Sequence, residues 1–279
     1  MTFERPWVIH RHETLPSTMD RAAELARRGA PERTAVLSGE QTAGRGRGGR
    51  AWHSPRGAAL YTTLILRPPV APERLSSLSL VIGVAVAEAI EAMTGVTARL
   101  KWPNDVWLGD DPARRKTAGI LLTSSLGEGQ VAHVLAGIGI NVTARVDDLP
   151  EGGTSLLAAT GVQVSRDALL ETLLERIDVA YAAFLGAGGR PSLAGWLARA
   201  AHLGETVTVE EGGEPVSGVF TGIDDDGALL LVREDGTFRR VVAGDLVRGP
   251  RPVSGDGAAP SAPGSREADA RSPHVVDGM

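Results

Sequence analysis

The chain has 279 residues, which is enough for one large domain or for a main domain with a smaller one. Apolar residues make up 42% and charged residues 23%, the balance of a globular protein rather than a disordered one. The net charge of −5 argues against the broad basic field of a nucleic-acid-binding protein. Because there is no cysteine, disulfides, zinc–thiolate sites and thiol nucleophiles are excluded.

Two further features restrict the class of protein. Residues 1–5 lack the apolar core of a signal peptide, and the longest apolar stretch, 78–90, is too short to span a bilayer. We therefore expect a soluble cytoplasmic enzyme without a membrane partner. Of the 29 basic residues, only Lys101 and Lys116 are lysine. An ammonium is compact and a guanidinium is a broad planar fork, so these two lysines are candidates for a tight site.

The first predicted element is a helix that begins after Ser17, its N-cap, and ends at Gly29. Asp20 completes a capping-box-like pattern with Ser17. Apolar segments then predict strands, and an alanine-rich segment that ends at Gly95 predicts a second helix. In chain order these are strands at 35–38 and 60–66, a helix at 76–93, and strands at 98–101, 106–108 and 118–124.

The next segment predicts a β-hairpin, because a glycine-rich turn at 127–130 returns the chain into a strand at 131–142. Two or three helices follow within 154–199, the clearest at 167–185. These elements predict an α+β domain in which helices pack on a mixed, largely antiparallel sheet.

The pattern changes after Gly204, where short strands recur about every ten residues and predict a small all-β barrel. Its predicted strands are 206–209, 215–223, 228–232 and 238–242. After Gly249 the chain is dominated by Pro, Gly, Ser and Ala, a composition typical of disorder. The predicted organisation is thus a main domain at 1–200, a β-barrel at 201–249 and a disordered tail at 250–279.

The most unusual segment is a loop in which glycines alternate with Arg45, Arg47 and Arg50. Glycine permits close approach to a ligand, and the arginines can neutralise a polyanion such as a triphosphate. No Gly-Lys-Ser/Thr follows, so this is not a Walker loop. A solvated loop and an Arg-Gly nucleic-acid segment are alternatives, but a single copy between core strands favours ligand binding. We expect residues 44–50 to be mobile until ligand binds.

A second candidate is the run Lys101-Trp102-Pro103-Asn104-Asp105. It presents a cation, an amide and a carboxylate at one strand end, around a turn fixed by proline. Asp105 is a candidate Mg²⁺ ligand, because Mg²⁺ favours one or two carboxylates plus phosphate oxygens. A purely structural turn is the alternative.

Two strands carry further candidates. Lys116 precedes the small residues Ala118 and Gly119, which allow a ligand to approach closely. In a later strand, Gly137 and Gly139 alternate and leave one face empty, so we expect a ligand or backbone to lie against it. The same strand ends at Asn141, a candidate for binding phosphate or metal.

Taken together and in this order, the motifs resemble those of the biotin protein ligases. They are Gly-Arg-Gly-Arg-Gly-Gly-Arg-Ala-Trp-His-Ser-Pro, Lys-Trp-Pro-Asn-Asp, Lys-Thr-Ala-Gly-Ile-Leu and Gly-Ile-Gly-Ile-Asn-Val. The resemblance extends over about residues 14–248. It implies a class II synthetase-like catalytic domain of the biotin/lipoate ligase type at 1–200, followed by an SH3-like β-barrel at 201–249.

The resemblance also implies an activity. Family members join biotin to ATP, release pyrophosphate, and hold biotinyl-5′-AMP until a lysine of a biotin carboxyl carrier domain of a carboxylase attacks it. ATP and Mg²⁺ are thereby implied. Some members carry an N-terminal DNA-binding domain, but only sixteen residues precede Ser17 here. We therefore expect a monofunctional ligase without a nucleic-acid partner.

Site residues follow from the resemblance position by position. It implies catalytic roles for Lys116 and Arg47, and a contact with Mg²⁺ for Asp105. The implied biotin contacts are Ser17, Thr18, Met19, Gln41, Arg45, Gly46, Arg47, Lys116 and Gly119. The implied ATP contacts are Arg47, Arg50, Trp52, Lys101, Asn104 and Asn141. Met19 departs from the family, which commonly has Asn at this position.

Three alternatives stay open at this point. A lipoate or octanoate ligase or transferase shares the same kind of fold and the same carrier-lysine chemistry. A non-catalytic module that sequesters biotin or its adenylate needs neither Lys116 nor Asp105, so their presence argues against it. A nucleic-acid-binding role is disfavoured by the net charge.

Overall fold

The computed structural model describes residues 6–53, 55–110 and 113–248. A seven-stranded sheet lies at its centre, with strand order β1-β2-β3-β7-β6-β5-β4. The strands are β1 (Val8–His12), β2 (Thr34–Ser38), β3 (Ala59–Leu66), β4 (Arg99–Lys101), β5 (Asp105–Leu108), β6 (Arg115–Gly127) and β7 (Gln130–Asn141). Only β1 and β2 pair in parallel, while the other neighbours are antiparallel. The predicted mixed, largely antiparallel sheet is therefore confirmed.

Helices cover both faces of this sheet. They are α1 (Thr18–Arg27), α2 (Leu75–Thr94), α3 (Leu156–Thr160), α4 (Arg166–Gly186) and α5 (Leu193–Leu197). The alternation of β2 shows the division, since successive strand residues point to opposite faces. Ala35 and Leu37 pack in the main core with α2 and α4, whereas Val36 packs in a smaller cluster with α1.

Helix α1 begins and ends as the sequence predicts. The side chain of Ser17 accepts a hydrogen bond from the backbone N–H of Met19 at 3.2 Å, and Gly29, with φ +85°, follows the last turn. The capping role predicted for Asp20 is replaced by another contact. Its carboxylate pairs with the guanidinium of Arg45 in the glycine-arginine loop.

Helix α2 is the most apolar of the long helices in the described chain. The segment Pro72–Thr94 is long and apolar enough to cross a membrane, since an 18-residue window within it has mean hydropathy 1.7, but 61% of that window is buried inside the protein. Leu78, Ile82 and Val86 lie in the main core between the sheet and α4. The hydropathy of α2 is thus accounted for by packing within the fold.

A second, five-stranded antiparallel sheet follows, with strand order β11-β10-β9-β8-β12. Its strands are β8 (Thr206–Glu211), β9 (Glu214–Ile223), β10 (Leu229–Val232), β11 (Phe238–Val241) and β12 (Asp245–Arg248). The sequence predicts the first four of these. Strands β1 and β12 were missed, because each is short and lies at a sheet edge with few apolar residues.

The two sheets share one hydrophobic core and meet at Trp102. The indole N–H of Trp102 donates to the carbonyl oxygen of Gly227 at 2.9 Å, and its side chain is only 2% exposed. The hydroxyl of Ser76 donates to the carbonyl oxygen of the neighbouring Asp226 at 2.6 Å. The division at residue 200 stays a prediction, and the predicted tail at 250–279 lies outside the described residues.

Candidate active site

A cavity of about 420 Å³ opens on the α1 face of the seven-stranded sheet. It brings together all the residues predicted for the site, although their individual roles stay predictions. They are Ser17, Thr18, Met19, Gln41, Arg45, Gly46, Arg47, Arg50, Trp52, Lys101, Asn104, Asp105, Lys116, Gly119 and Asn141.

The glycine-arginine loop forms one wall of the cavity. The backbone N–H of Trp52 donates to the carbonyl oxygen of Gly44 at 2.9 Å. The backbone N–H of Gly46 donates to the carbonyl oxygen of Arg50 at 2.7 Å. Between these bonds the chain makes a 3₁₀ turn in which Gly48 has φ +66°, a left-handed conformation that favours glycine. The expectation that ligand orders this loop stays a prediction.

A polar corner lies at the start of α1. The side-chain carbonyl oxygen of Gln41 accepts from the backbone N–H of Thr18 at 2.8 Å and from its hydroxyl at 3.1 Å. The hydroxyl of Thr63 donates to that of Thr18 at 2.8 Å, and Ser17 and Thr18 are both buried. These bonds fix the orientation of the Gln41 amide, so the corner presents a defined set of polar groups.

The empty strand face that the sequence predicts is occupied by side chains rather than by backbone. A Cβ atom on Gly139 would lie 2.6 Å from the ring of Trp52, and one on Gly119 would lie 2.8 Å from it. A Cβ atom on Gly137 would lie 2.7 Å from the sulfur of Met19. The glycines therefore make slots for Trp52 and Met19, which the sequence pattern alone did not identify.

A β-bulge places Lys116 on the cavity face. Lys116 pairs with Trp107 and Gly119 pairs with Asp105, so Thr117 is an extra residue in β6. Cross-strand partners lie on the same face, and Lys116 and Gly119 thus face the cavity together although they are three positions apart. A regular strand would have put them on opposite faces.

Lys116 is held by a carboxylate and an aromatic ring. Its Nζ lies 2.7 Å from Oδ1 of Asp105 and 5.3 Å from the centre of the Trp52 ring. The carboxylate forms an ion pair with the ammonium group, and the π-face of the ring makes a cation–π contact with it.

The remaining charges in the cavity are mostly positive. Nζ of Lys101 lies 4.9 Å from the centre of the Trp107 ring. Burial lowers the pKa of Lys101, and the neighbouring Lys116, Arg50 and Arg47 lower it further, while Asp105 opposes this. Burial also lowers the pKa of Arg47. The cations that line the cavity outnumber its two carboxylates, Asp105 and Glu151, an arrangement suited to an anionic ligand.

The two asparagines line the cavity and also brace its backbone. The side-chain amide of Asn104 donates to the carbonyl oxygen of Ile120 at 2.8 Å. The side-chain amide of Asn141 donates to the carbonyl oxygen of Thr154 at 3.0 Å. Each side chain therefore fixes a neighbouring segment, whatever its contact with a ligand.

Sequence reasoning missed part of the lining. The missed side chains include His53, Thr62, Trp107 and Arg114, and the missed segment is 149–153. That segment lies beside Lys116, whose backbone N–H donates to the carbonyl oxygen of Gly152 at 2.8 Å. The adjacent glycines 152 and 153 were the only signal, and such pairs are common in ordinary turns.

Comparison with known proteins identifies the family. Residues 12–141 match the biotin/lipoate A/B protein ligase family, and residues 202–249 match the biotin protein ligase C-terminal domain. The chain belongs to the biotin protein ligase family. The predicted family and fold class are therefore confirmed.

Individual relatives and a solved structure agree with this assignment. The bifunctional ligase/repressor BirA of Bacillus subtilis is 35% identical over 242 residues, which is 85% of this chain and 73% of the relative. The biotin--[acetyl-CoA-carboxylase] ligase of Paracoccus denitrificans is 40% identical over 203 residues, 70% of this chain and 82% of the relative. A biotin protein ligase from Aquifex aeolicus, solved in complex with biotin and ATP, is 29% identical with a TM-score of 0.70, and the match covers 88% of this chain and 100% of that one.

Proposed function

We propose that this chain is a biotin--[biotin carboxyl-carrier protein] ligase, which joins biotin to ATP and transfers it from biotinyl-5′-AMP to a lysine of a biotin carboxyl carrier domain. The observation that carries the proposal is the cavity on the α1 face of the seven-stranded sheet. It places a polar, hydrogen-bonding corner beside a cluster of arginines and lysines. Family membership supports the same conclusion.

In the first step, a carboxylate oxygen of biotin attacks the α-phosphorus of ATP. A bond forms between this oxygen and the α-phosphorus, which gives a mixed anhydride, and the bond between the α-phosphorus and the oxygen bridging to the β-phosphate breaks to release pyrophosphate. Both reactants are anions, so their repulsion is a major barrier, and positive groups aimed at the developing charge lower it. Arg47, Arg50, Lys101 and Lys116 supply this charge in our proposal.

In the second step, the amine of the carrier lysine attacks the acyl carbon of the adenylate. An amide bond forms, AMP leaves, and the amine loses its proton. No nucleophile from the ligase is needed, which suits a chain without cysteine. The loop at 44–50 would cover the adenylate and exclude water from it.

The other roles in the proposal come from the family resemblance, and all the residues concerned line the cavity. Ser17, Thr18 and Gln41 would hold the polar ring edge of biotin, with Met19 and Gly119 beside the ring. Arg45 and Gly46 would cover the bound biotin, Lys116 would meet its carboxylate, and Trp52, Asn104 and Asn141 would lie near the nucleotide.

The cavity fits Mg²⁺ as an ion that arrives with ATP. Within the described residues, no group of three or more His, Asp or Glu side chains is placed to hold a metal ion by itself. Asp105 offers one carboxylate, shared with Lys116, and Mg²⁺ in nucleotide sites commonly combines one or two carboxylates with phosphate oxygens. When bound, the ion would neutralise part of the charge on the phosphates.

Exchange of labelled pyrophosphate into ATP tests the first step. We expect exchange that depends on biotin and that falls by about a thousandfold in Lys116→Ala, in line with the loss of a group that stabilises transition-state charge. Arg115→Ala is the matched control, because the neighbouring Arg115 is exposed and does not line the cavity. Tight biotin binding without exchange in the wild-type protein would favour a sequestering module instead.

Lipoate and octanoate are the parallel substrates in the same assay. The matched family includes lipoate ligases, but the additional match to a biotin protein ligase C-terminal domain favours biotin. Exchange with lipoate and not with biotin would keep the adenylation chemistry and change the substrate.

We place the reaction in the cytoplasm, where ATP is available to support it. Detection of the protein in the soluble cytoplasmic fraction is the expected result. Recovery with the membrane fraction would contradict this placement.

A further inference from the structure

The arginine loop is held by a residue of the second sheet. Nη2 of Arg47 donates to the carbonyl oxygen of Gly244 at 2.6 Å and also to the carboxylate of Asp245. Nη2 of Arg50 lies 3.1 Å from the other oxygen of the same carboxylate. Asp245 is the first residue of β12, far from the loop in the sequence. One carboxylate thus joins the two arginines that we assign to the phosphates.

The contact solves an electrostatic problem. Arg47 and Arg50 lie close together, and Nε of Arg50 donates to the carbonyl oxygen of Arg47 at 3.0 Å. Two adjacent guanidinium groups repel each other, and Arg47 is partly withdrawn from water, with 28% of its side chain exposed. A shared carboxylate lets both cations remain at one place in the absence of an anionic ligand.

The contact also leaves part of Arg47 available. Only Nη2 is used by Asp245 and Gly244, whereas the buried Nε of Arg47 has no hydrogen-bond acceptor among the residues that the structure describes. A buried donor without an acceptor is costly, so it marks a place where an acceptor from a ligand is favourable. Arg47 also lines the cavity.

The backbone at Gly244 fixes the position of this anchor. Gly244 has φ +155°, and a Cβ atom there would lie 2.5 Å from Val209 and 2.6 Å from the carbonyl oxygen of Glu210. Strand β12 pairs with β8 directly afterwards, with Asp245 opposite Glu210. The carbonyl oxygen and the carboxylate that receive Arg47 are therefore set by a ladder of the second sheet.

We propose that Asp245 is a positioning residue for ATP, which holds Arg47 and Arg50 by one edge so that their remaining N–H groups meet the phosphates. This inference rests on the proposed function. It assigns to the second sheet a specific role in the nucleotide site, although Asp245 itself does not line the cavity.

The kinetic test compares Asp245→Ala with wild type in the biotin-dependent exchange assay. We expect the KM for ATP to rise about tenfold, the loss that corresponds to about 1.4 kcal/mol of binding, while the KM for biotin stays within about twofold. Asp245→Glu should restore most of the ATP affinity, because it keeps the charge. Glu210→Ala is the matched control, since Glu210 pairs with Asp245 across the ladder and does not line the cavity. A KM for ATP that is unchanged or lower in Asp245→Ala overturns the proposal.

A second measurement does not depend on activity. Trypsin cleaves after arginine, so the rate of cleavage after Arg47 and Arg50 in the ligand-free protein reports how firmly the loop is held. We expect faster cleavage in Asp245→Ala and a wild-type rate in Glu210→Ala. Unchanged cleavage in Asp245→Ala overturns the proposal as well. Faster cleavage in a protein without exchange activity would show that the loop anchor is real and that the proposed function is the part that fails.

Discussion

The two faces of the seven-stranded sheet are built from the same strands and serve opposite purposes. In β7, Ala136, Ile138 and Ile140 pack in the main core, whereas Gly137 and Gly139 face Met19 and Trp52 on the cavity side. One face gains stability from close packing of apolar side chains. The other face gives up side chains to make room for a ligand and for the residues that surround it. Stability and binding are therefore separated by the two-residue period of a strand.

The largest effect is expected from filling the cavity face. In Gly139→Val, the new side chain would overlap the ring of Trp52 and push it into the space of the ligand. Gly139 has an ordinary extended backbone and valine favours strands, so the fold should persist. We expect the kcat/KM of exchange to fall about a hundredfold or more, with a small change in Tm. Activity near that of wild type would show that the glycine face is not where ligand binds.

The neighbouring residue should behave in the opposite way. Ile140 is fully buried on the core face and does not line the cavity. Ile140→Ala should lower the free energy of unfolding by about 2–5 kcal/mol, the usual cost of such a core truncation. Urea denaturation measures this loss. The exchange rate per folded molecule at low temperature should stay within about twofold of wild type. A large loss of activity in the folded variant would mean that the two faces are not independent.

Lys101 on the cavity face is a residue at which we expect ligand binding and protein stability to have opposite requirements, because the same buried charge favours ATP and destabilises the fold. Its pKa is lowered, so between that value and the unfolded-state value the unfolded chain binds more protons, and stability rises with pH. Below this range the cost of the buried charge is fully present. Lys101→Met should therefore raise Tm at pH 7 by about 2–4 °C, the change that about 1 kcal/mol produces in a domain of this size. The KM for ATP should rise at the same time, and an unchanged KM would remove Lys101 from the nucleotide site.

The smallest expected effect is self-modification. The chain has only two lysines, and both line the cavity, so adenylate that escapes finds no lysine on the rest of the surface. Intact-mass spectrometry after incubation with biotin and ATP should show little biotinylated ligase. Arg115→Lys is the informative variant, because it adds an amine at an exposed position beside the cavity and should become labelled. Extensive modification of Lys101 or Lys116 in the wild-type protein would contradict this expectation.

Much of the fold is readable from the sequence because its signals are local. The Ser17 cap, the Gly29 and Gly95 stops, and the hairpin between β6 and β7 each depend on residues within a few positions. The edge strands β1 and β12 have no such signal. Their backbone pairing is decided by a partner elsewhere in the chain rather than by their own apolar pattern.

The site also has features that the sequence predicts locally and features that it does not. The motifs bring the predicted residues into one cavity, but the contacts between them depend on distant parts of the chain. The bulge at Thr117 that turns Lys116 toward the cavity is visible only in the strand register. The pairing of Asp245 with Arg47 joins residues almost two hundred positions apart, and no local pattern predicts such a contact.

The hydrogen bond between Trp102 and Gly227 also determines how the molecule can come apart. If the second sheet were removed, a large buried indole would be exposed and its N–H would lose the acceptor that the structure provides. The turn that carries Lys101, Asn104 and Asp105 would lose its support at the same time. The two sheets should therefore unfold in one calorimetric transition, and a chimera that exchanges the second sheet alone must also supply a turn that fits Trp102.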